Sequence, residues 1–139
     1  MVAVDNSAAA QQSLKLALFL LKDIKQGQLI LVHVNNDSKA PEGLTSNPEK
    51  DPVIAAAVAE AKKMGVNYKC VVKSGKPGEE ICKLADEFSV DLLVLGSPER
   101  RPSIAKALPD LDRLLGKSIS DYVRVHANCP VLLSRTSAV

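Results

Sequence analysis

The amino-acid sequence predicts an α/β domain built on a mostly parallel sheet, and three observations carry that reading. Apolar β-rich runs alternate with helix-period segments along the whole chain, in a βαβα pattern. The central runs are continuous rather than alternating, so their strands are buried on both faces, as a parallel sheet between helix layers requires. The connections have the length that joins parallel neighbours through right-handed crossovers. At 139 residues the chain is one domain, residues 1–139, large enough to bury a single core.

Taken in order, Val2 to Val4 forms a short first strand that ends at Asp5-Asn6-Ser7. Ser7 caps a helix whose apolar face is Ala10, Leu14, Ala17, Leu18 and Leu21, and Gly27 stops it. Leu29 to Val34 is a central strand. Asn35 to Lys50 collects Asn, Asp, Ser, Pro, Gly and Lys and reads as a long loop. Asp51 and Pro52 are placed as cap and first residue of a second helix, with Ile54, Ala57, Val58 and Ala61 on its buried face and Gly65 at its end. Val66 to Val72 is the third strand, Gly75 to Gly78 a turn, and Ile81, Leu84, Ala85 and Phe88 the buried face of a third helix. Leu92 to Gly96 is a second central strand. A last helix carries Ile119, Tyr122, Val123 and His126 on one side, and Pro130 to Leu133 closes the sheet. The pattern therefore predicts strands and helices in the ratio of five to four, with helices on both faces of an open, doubly wound sheet.

Composition excludes several classes of function. Lys plus Arg exceeds Asp plus Glu by only two, and the chain has no Trp, two Phe and two Tyr, so it lacks both the basic surface and the stacking platforms of a nucleic-acid binder. No apolar run is long enough to insert in a membrane, the hydrophobic stretch Leu14 to Leu21 lacks the flanks of a signal peptide, and a soluble, cytoplasmic protein is expected. Cys70, Cys82 and Cys129 share no metal-ligand spacing and read as buried thiols in a reducing compartment. No nucleophile, base and orienter recur at a readable spacing, so no catalytic residue is assigned, and no carboxylate or His cluster suggests a metal site. His33, inside a strand, and His126, on the apolar side of a helix, read as hydrogen-bonded core residues.

In open α/β sheets ligands bind beyond the carboxyl ends of the strands, where the strand order reverses. That rule directs attention to Asp5, Val34 and Gly96, each at the end of a strand, and to the start of the last helix near Ser118.

Four stretches, Val2-Ala3-Val4-Asp5-Asn6-Ser7, Leu31-Val32-His33-Val34, Asp91 through Ser97, and Ser118 through Val131, resemble the universal stress protein family in their order and separation. The resemblance implies a five-stranded parallel sheet of order 3-2-1-4-5, in which Asp5 and Gly96 face each other across the reversal between the first and fourth strands. It implies a regulatory, stress-response domain that holds an adenine nucleotide, AMP or ATP, with or without Mg, and has at most slow nucleotide hydrolysis. It also implies a homodimer through the last strand, which fits the apolar Pro130-Val131-Leu132-Leu133 at the end of the sheet order. The same family includes members that hold no nucleotide and serve as dimerisation or interaction modules, and that alternative stays open.

Nucleotide-binding members carry a Gly-x2-Gly-x9-Gly-[Ser/Thr] motif after the fourth strand, where glycines let main-chain N–H groups approach phosphate and a hydroxyl opens the following helix. Gly96 fills the first place here, but Glu99 stands in the second, and the stretch to Gly116 is seven residues longer than the motif allows. The third place is Gly116 counted forward from Leu115 and Lys117 counted backward from Ser118. The resemblance thus carries over Asp5, the main chain of Val34, Gly96, Gly116, Lys117, Ser118 and Ile119. Asp5 reads either as a turn or cap residue or as a neighbour of ribose or metal, and Ser118 and Ser120 either as helix-start residues or as anion contacts. Residues 97–117 form an atypical insertion, read either as a solvated segment or as a lid whose Arg100 and Arg101 bind phosphate in place of the lost glycine.

Overall fold

The computed structural model describes residues 1–36, 43–97 and 119–135. The parallel strands are β1 (Val2–Ala3), β2 (Gln28–Asn35), β4 (Asn67–Ser74), β5 (Leu93–Gly96) and β6 (Val131–Ser134), and the helices are α1 (Ala8–Leu21), α2 (Pro52–Lys63), α3 (Pro77–Glu87) and α4 (Ile119–His126). With a sixth strand, β3 at residues 43–44, the sheet order is β3-β4-β2-β1-β5-β6, so the parallel strands alone run 3-2-1-4-5 as expected. The added strand, β3 (Gly43–Leu44), pairs antiparallel with Ser74 and Lys73 and covers the carboxyl end of the outer edge of β4. This corrects the reading of Asn35 to Lys50 as unbroken loop, and Pro48–Lys50 adds a turn of 3-10 helix. Two residues of strand are too few to leave a periodic signal.

Side chains of the parallel strands alternate between two cores. Val2, Leu29, Leu31, Val72 and Val94 pack under α1 and α2, while Ile30, Val32, Val71, Leu93 and Leu95 pack under α3 and α4. The parity is why the central runs are apolar without interruption. The helix starts behave as the residue types dictate. Ser7 Oγ accepts from Ala10 N–H at 3.1 Å, and Asp51 Oδ1 accepts from the N–H groups of Val53 and Ile54, with Pro52 as the first helical residue.

Other readings need correction. Val4 lies beyond the β1 ladder, β4 runs on to Ser74, and Pro77 and Gly78 belong to the first turn of α3 rather than to a turn before it. His126 is exposed, its ring stacked on Tyr122 with centroids 4.0 Å apart. The helix buries Val123 against α3 and the sheet and leaves its other flank in water, which helical period does not reveal. The three cysteines are half-buried, not buried. Desolvation first, then Glu49 for Cys70 and Asp86 for Cys82, pushes those two thiols above the ordinary range, the opposite of what a reactive cysteine needs.

Candidate functional site

The reversal of strand order falls between β2 and β5, on either side of β1. A cleft opens there above the carboxyl ends of the strands, lined by Ala3, Val4, Asp5, Ser7, Ala9, Ala10, His33, Val34, Pro77, Ile81, Leu95, Gly96 and Ile119. Four carried-over residues, Asp5, Val34, Gly96 and Ile119, meet in it. Its volume is about 100 Å³, below the ~300 Å³ at which drug-sized pockets begin, so a ligand larger than a single ring system fills it in part and lies across its mouth. Gly116, Lys117, Ser118, Arg100, Arg101 and Glu99 lie outside the described residues.

The polar edge of the cleft comes from the main chain. The β1–β2 ladder ends with Ala3 opposite Val32, and Val4 N–H donates to Val32 O at 2.8 Å. N–H and C=O of one strand residue point to the same side, and the side alternates along the strand. Val34, two residues on from Val32, therefore turns both groups toward the β1 side. The next rung, Val34 N–H to Val4 O, is not made. Among the described residues nothing on that side pairs with either group, leaving a donor and an acceptor side by side at the cleft.

Asp5 is exposed, and its Oδ1 accepts from Ser7 N–H at 2.7 Å, turning the chain from β1 into α1. Its other carboxylate oxygen has no partner among the described residues, so the turn and the ligand readings coexist in one side chain. Gly96 has a local reason to be glycine. A Cβ there would stand 2.7 Å from Ala9 Cβ and 2.8 and 2.9 Å from the Ala9 carbonyl carbon and oxygen. The first turn of α1 sits directly on the end of β5, which is tighter than any side chain permits. That turn is pinned further: Ser13 Oγ donates to Ala9 O at 3.0 Å and lies 2.6 Å from the Ser134 hydroxyl, a buried pair joining α1 to β6.

Ile119 reaches the cleft because α4 docks on the start of α3. The Tyr122 ring lies over Gly78, where a Cβ would come within 2.8 Å of Cδ1. Below this contact Glu80 forms an ion pair with Lys73 at 2.6 Å and accepts from Lys83 at 3.3 Å, and Lys73 leads the causes that hold its carboxyl below the usual range. A depressed folded-state value means that the pair stabilises above the unfolded value and is lost as pH falls through the folded one. Glu80→Gln is expected to cost about 1 kcal/mol near neutrality. Urea denaturation should show the gap between variant and wild type closing as pH falls from neutrality through and below the ordinary glutamate range. Among the described residues no group of three or more His, Cys, Asp or Glu is placed to hold a metal ion, and no helix is long and apolar enough to cross a membrane.

Ser7, Pro77, Ile81 and His33 also line the cleft, although their residue types and places in the sequence point only to a cap, a turn, a helix face and a core strand. His33 carried a readable signal, a polar residue one place before the end of an apolar central strand.

Residues 1–135 match the model of the universal stress protein family. A universal stress protein of Synechocystis is 31% identical over 136 residues, covering 94% of this chain and 80% of that protein. Another from Methanothermobacter thermautotrophicus is 38% identical over 71 residues, a match that spans 51% of this chain and 42% of the relative. Among solved structures, a universal stress protein in complex with cAMP superposes with a TM-score of 0.70 at 23% identity, covering 98% of this chain and 94% of the other. A family protein of Arabidopsis thaliana with AMP bound gives 0.69 at 21% identity, covering 99% and 91%. At these identities the structural likeness is one of fold.

Proposed function

Because the chain belongs to the universal stress protein family, we propose that it is a regulatory domain that holds an adenine nucleotide in the cleft between the ends of β1 and β5. The observation that carries this reading is the unmade rung at Val34. An adjacent N–H and C=O at an apolar slot suit the edge of adenine, whose N1 accepts and whose amino group donates. The slot between Val4, Ile81 and Leu95 takes the flat ring, and Asp5 stands where a ribose hydroxyl can donate to its second oxygen. Two neighbours of the same fold were solved with cAMP and with AMP, which supports the ligand class.

Phosphates would extend over the segment that follows Gly96, where Glu99 replaces a phosphate-cradling glycine. At about 4 Å and an effective dielectric of ~20, a carboxylate beside an extra phosphate charge costs a few kcal/mol. AMP is therefore expected to bind at least as tightly as ATP, and Glu99→Gly to improve ATP more than AMP. Calorimetric titration checks both; a tenfold preference for ATP in the wild type, unchanged in the variant, places Glu99 away from the ligand. Asp5→Ala and Ser118→Ala should each weaken AMP by about 1–2 kcal/mol without unfolding the domain. Heat denaturation of the purified protein should release adenine nucleotide detectable by mass spectrometry. Protein that releases none and gains no thermal stability from added AMP or ATP contradicts the reading.

A second feature favours self-association. β6 is the last strand of the sheet, and no strand among the described residues pairs its outer edge. Leu132 shares a face with Ser134 and is 36% exposed; Leu20 of α1 is 39% exposed. An apolar, unpaired edge fits a homodimer through β6, with nucleotide hydrolysis slow or absent and the cytoplasm as the setting.

A further inference from the structure

His33 is the cleft side chain that grips the main chain where the ladder breaks. Its Nδ1 lies 2.9 Å from Val4 O. A carbonyl oxygen only accepts, so Nδ1 carries the proton in the neutral and in the charged ring alike. In a continued parallel ladder that oxygen would take the Val34 N–H; here the ladder stops one rung earlier. The peptide from Val4 to Asp5 is planar, so a Val4 carbonyl turned toward β2 turns the Asp5 N–H the other way, toward β5 and Gly96. One side-chain bond thus orients both walls of the crevice.

We infer that His33 is a positioning residue: by satisfying Val4 O with its side chain it keeps the last β1–β2 rung unmade and the main-chain edge of Val34 free for a ligand. Without that donor, Val4 O is a partly buried acceptor with no partner, and the main-chain donor that a continued ladder brings to it is the Val34 N–H. The ladder then closes by one rung and the slot loses its donor. An Asn in place of His33 carries a side-chain amide at the same distance along the chain as Nδ1 and can hold the same carbonyl. The consequence for affinity rests on the nucleotide reading above; the consequence for the Val34 amide does not.

Amide hydrogen exchange followed by NMR, with AMP titrations, tests this on the full chain. In the ligand-free wild type the Val34 amide should exchange at least about tenfold faster than that of Val32, which lies inside the ladder. His33→Leu should slow Val34 by about tenfold and weaken AMP by about tenfold, while His33→Asn should return both to within about threefold of wild type. A wild-type Val34 amide as protected as that of Val32 overturns the inference, whether or not His33→Leu folds. So does a folded His33→Leu with an unchanged Val34 amide. If the wild type binds no AMP but its Val34 amide is unprotected and becomes protected in His33→Leu, the positioning role stands and the nucleotide reading fails.

Discussion

Gly96→Ala is expected to destabilise the domain by about 2–3 kcal/mol, near the upper end for overpacking by one methyl group. The added carbon would meet main-chain atoms of Ala9 at 2.8 and 2.9 Å, so no rotamer change relieves it and the first turn of α1 must move. That turn has little room to move. Ala9 O holds the Ser13 hydroxyl, which is bonded in turn to Ser134, and the Ser7 cap fixes the start of the helix. Urea denaturation should show the midpoint falling with the slope unchanged. A loss below about 0.5 kcal/mol would mean that α1 lifts freely from β5. The expected result bears on function as well, because lost nucleotide binding in this variant would report a displaced helix and not a missing phosphate contact.

Leu132→Glu is expected to turn a dimer into monomers, raising the dissociation constant at least a hundredfold, which is about 2.7 kcal/mol. In a two-fold interface every substitution occurs twice, and residues near the axis meet their own copies. Two carboxylates brought together at an apolar edge lose water and repel each other, whereas the same change on a free edge adds a charge at a site that is already 36% exposed. Sedimentation at tens of micromolar should show wild-type dimer and folded variant monomer. A wild type that sediments only as monomer removes the β6 dimer, and a variant that remains dimeric moves the interface elsewhere.

The sheet was legible in the sequence because its cause is written in residue types. Leu29 to Val32 is apolar at both parities because two helix layers cover it, and Ser7, Asp51 and Pro52 announce their helices by the atoms they offer. The ends of β1, β2 and β5 followed from topology, and Asp5, Val34 and Gly96 do converge. What stayed hidden depends on contacts between distant residues. That Gly96 is glycine for the sake of Ala9, that Gly78 makes room for Tyr122, and that Ser13 meets Ser134 are facts about pairs, and no window along the chain contains both members. The apolar strand around His33 points to a core residue, although its ring holds the main chain at the cleft. The place of Val34 is the instructive case, since its importance lies in backbone groups whose availability depends on where the neighbouring strand stops.

Entry of adenine nucleotide into the crevice at the reversal of strand order is tested by AMP titration of isotopically labelled protein with amide resonances assigned. The largest shifts are expected at Val34, Asp5 and Gly96, with Gln28, Asn67 and Leu93 at the opposite ends of the strands unmoved. Saturating AMP that leaves Val34 and Gly96 unshifted, or that moves the opposite ends instead, would contradict the claim.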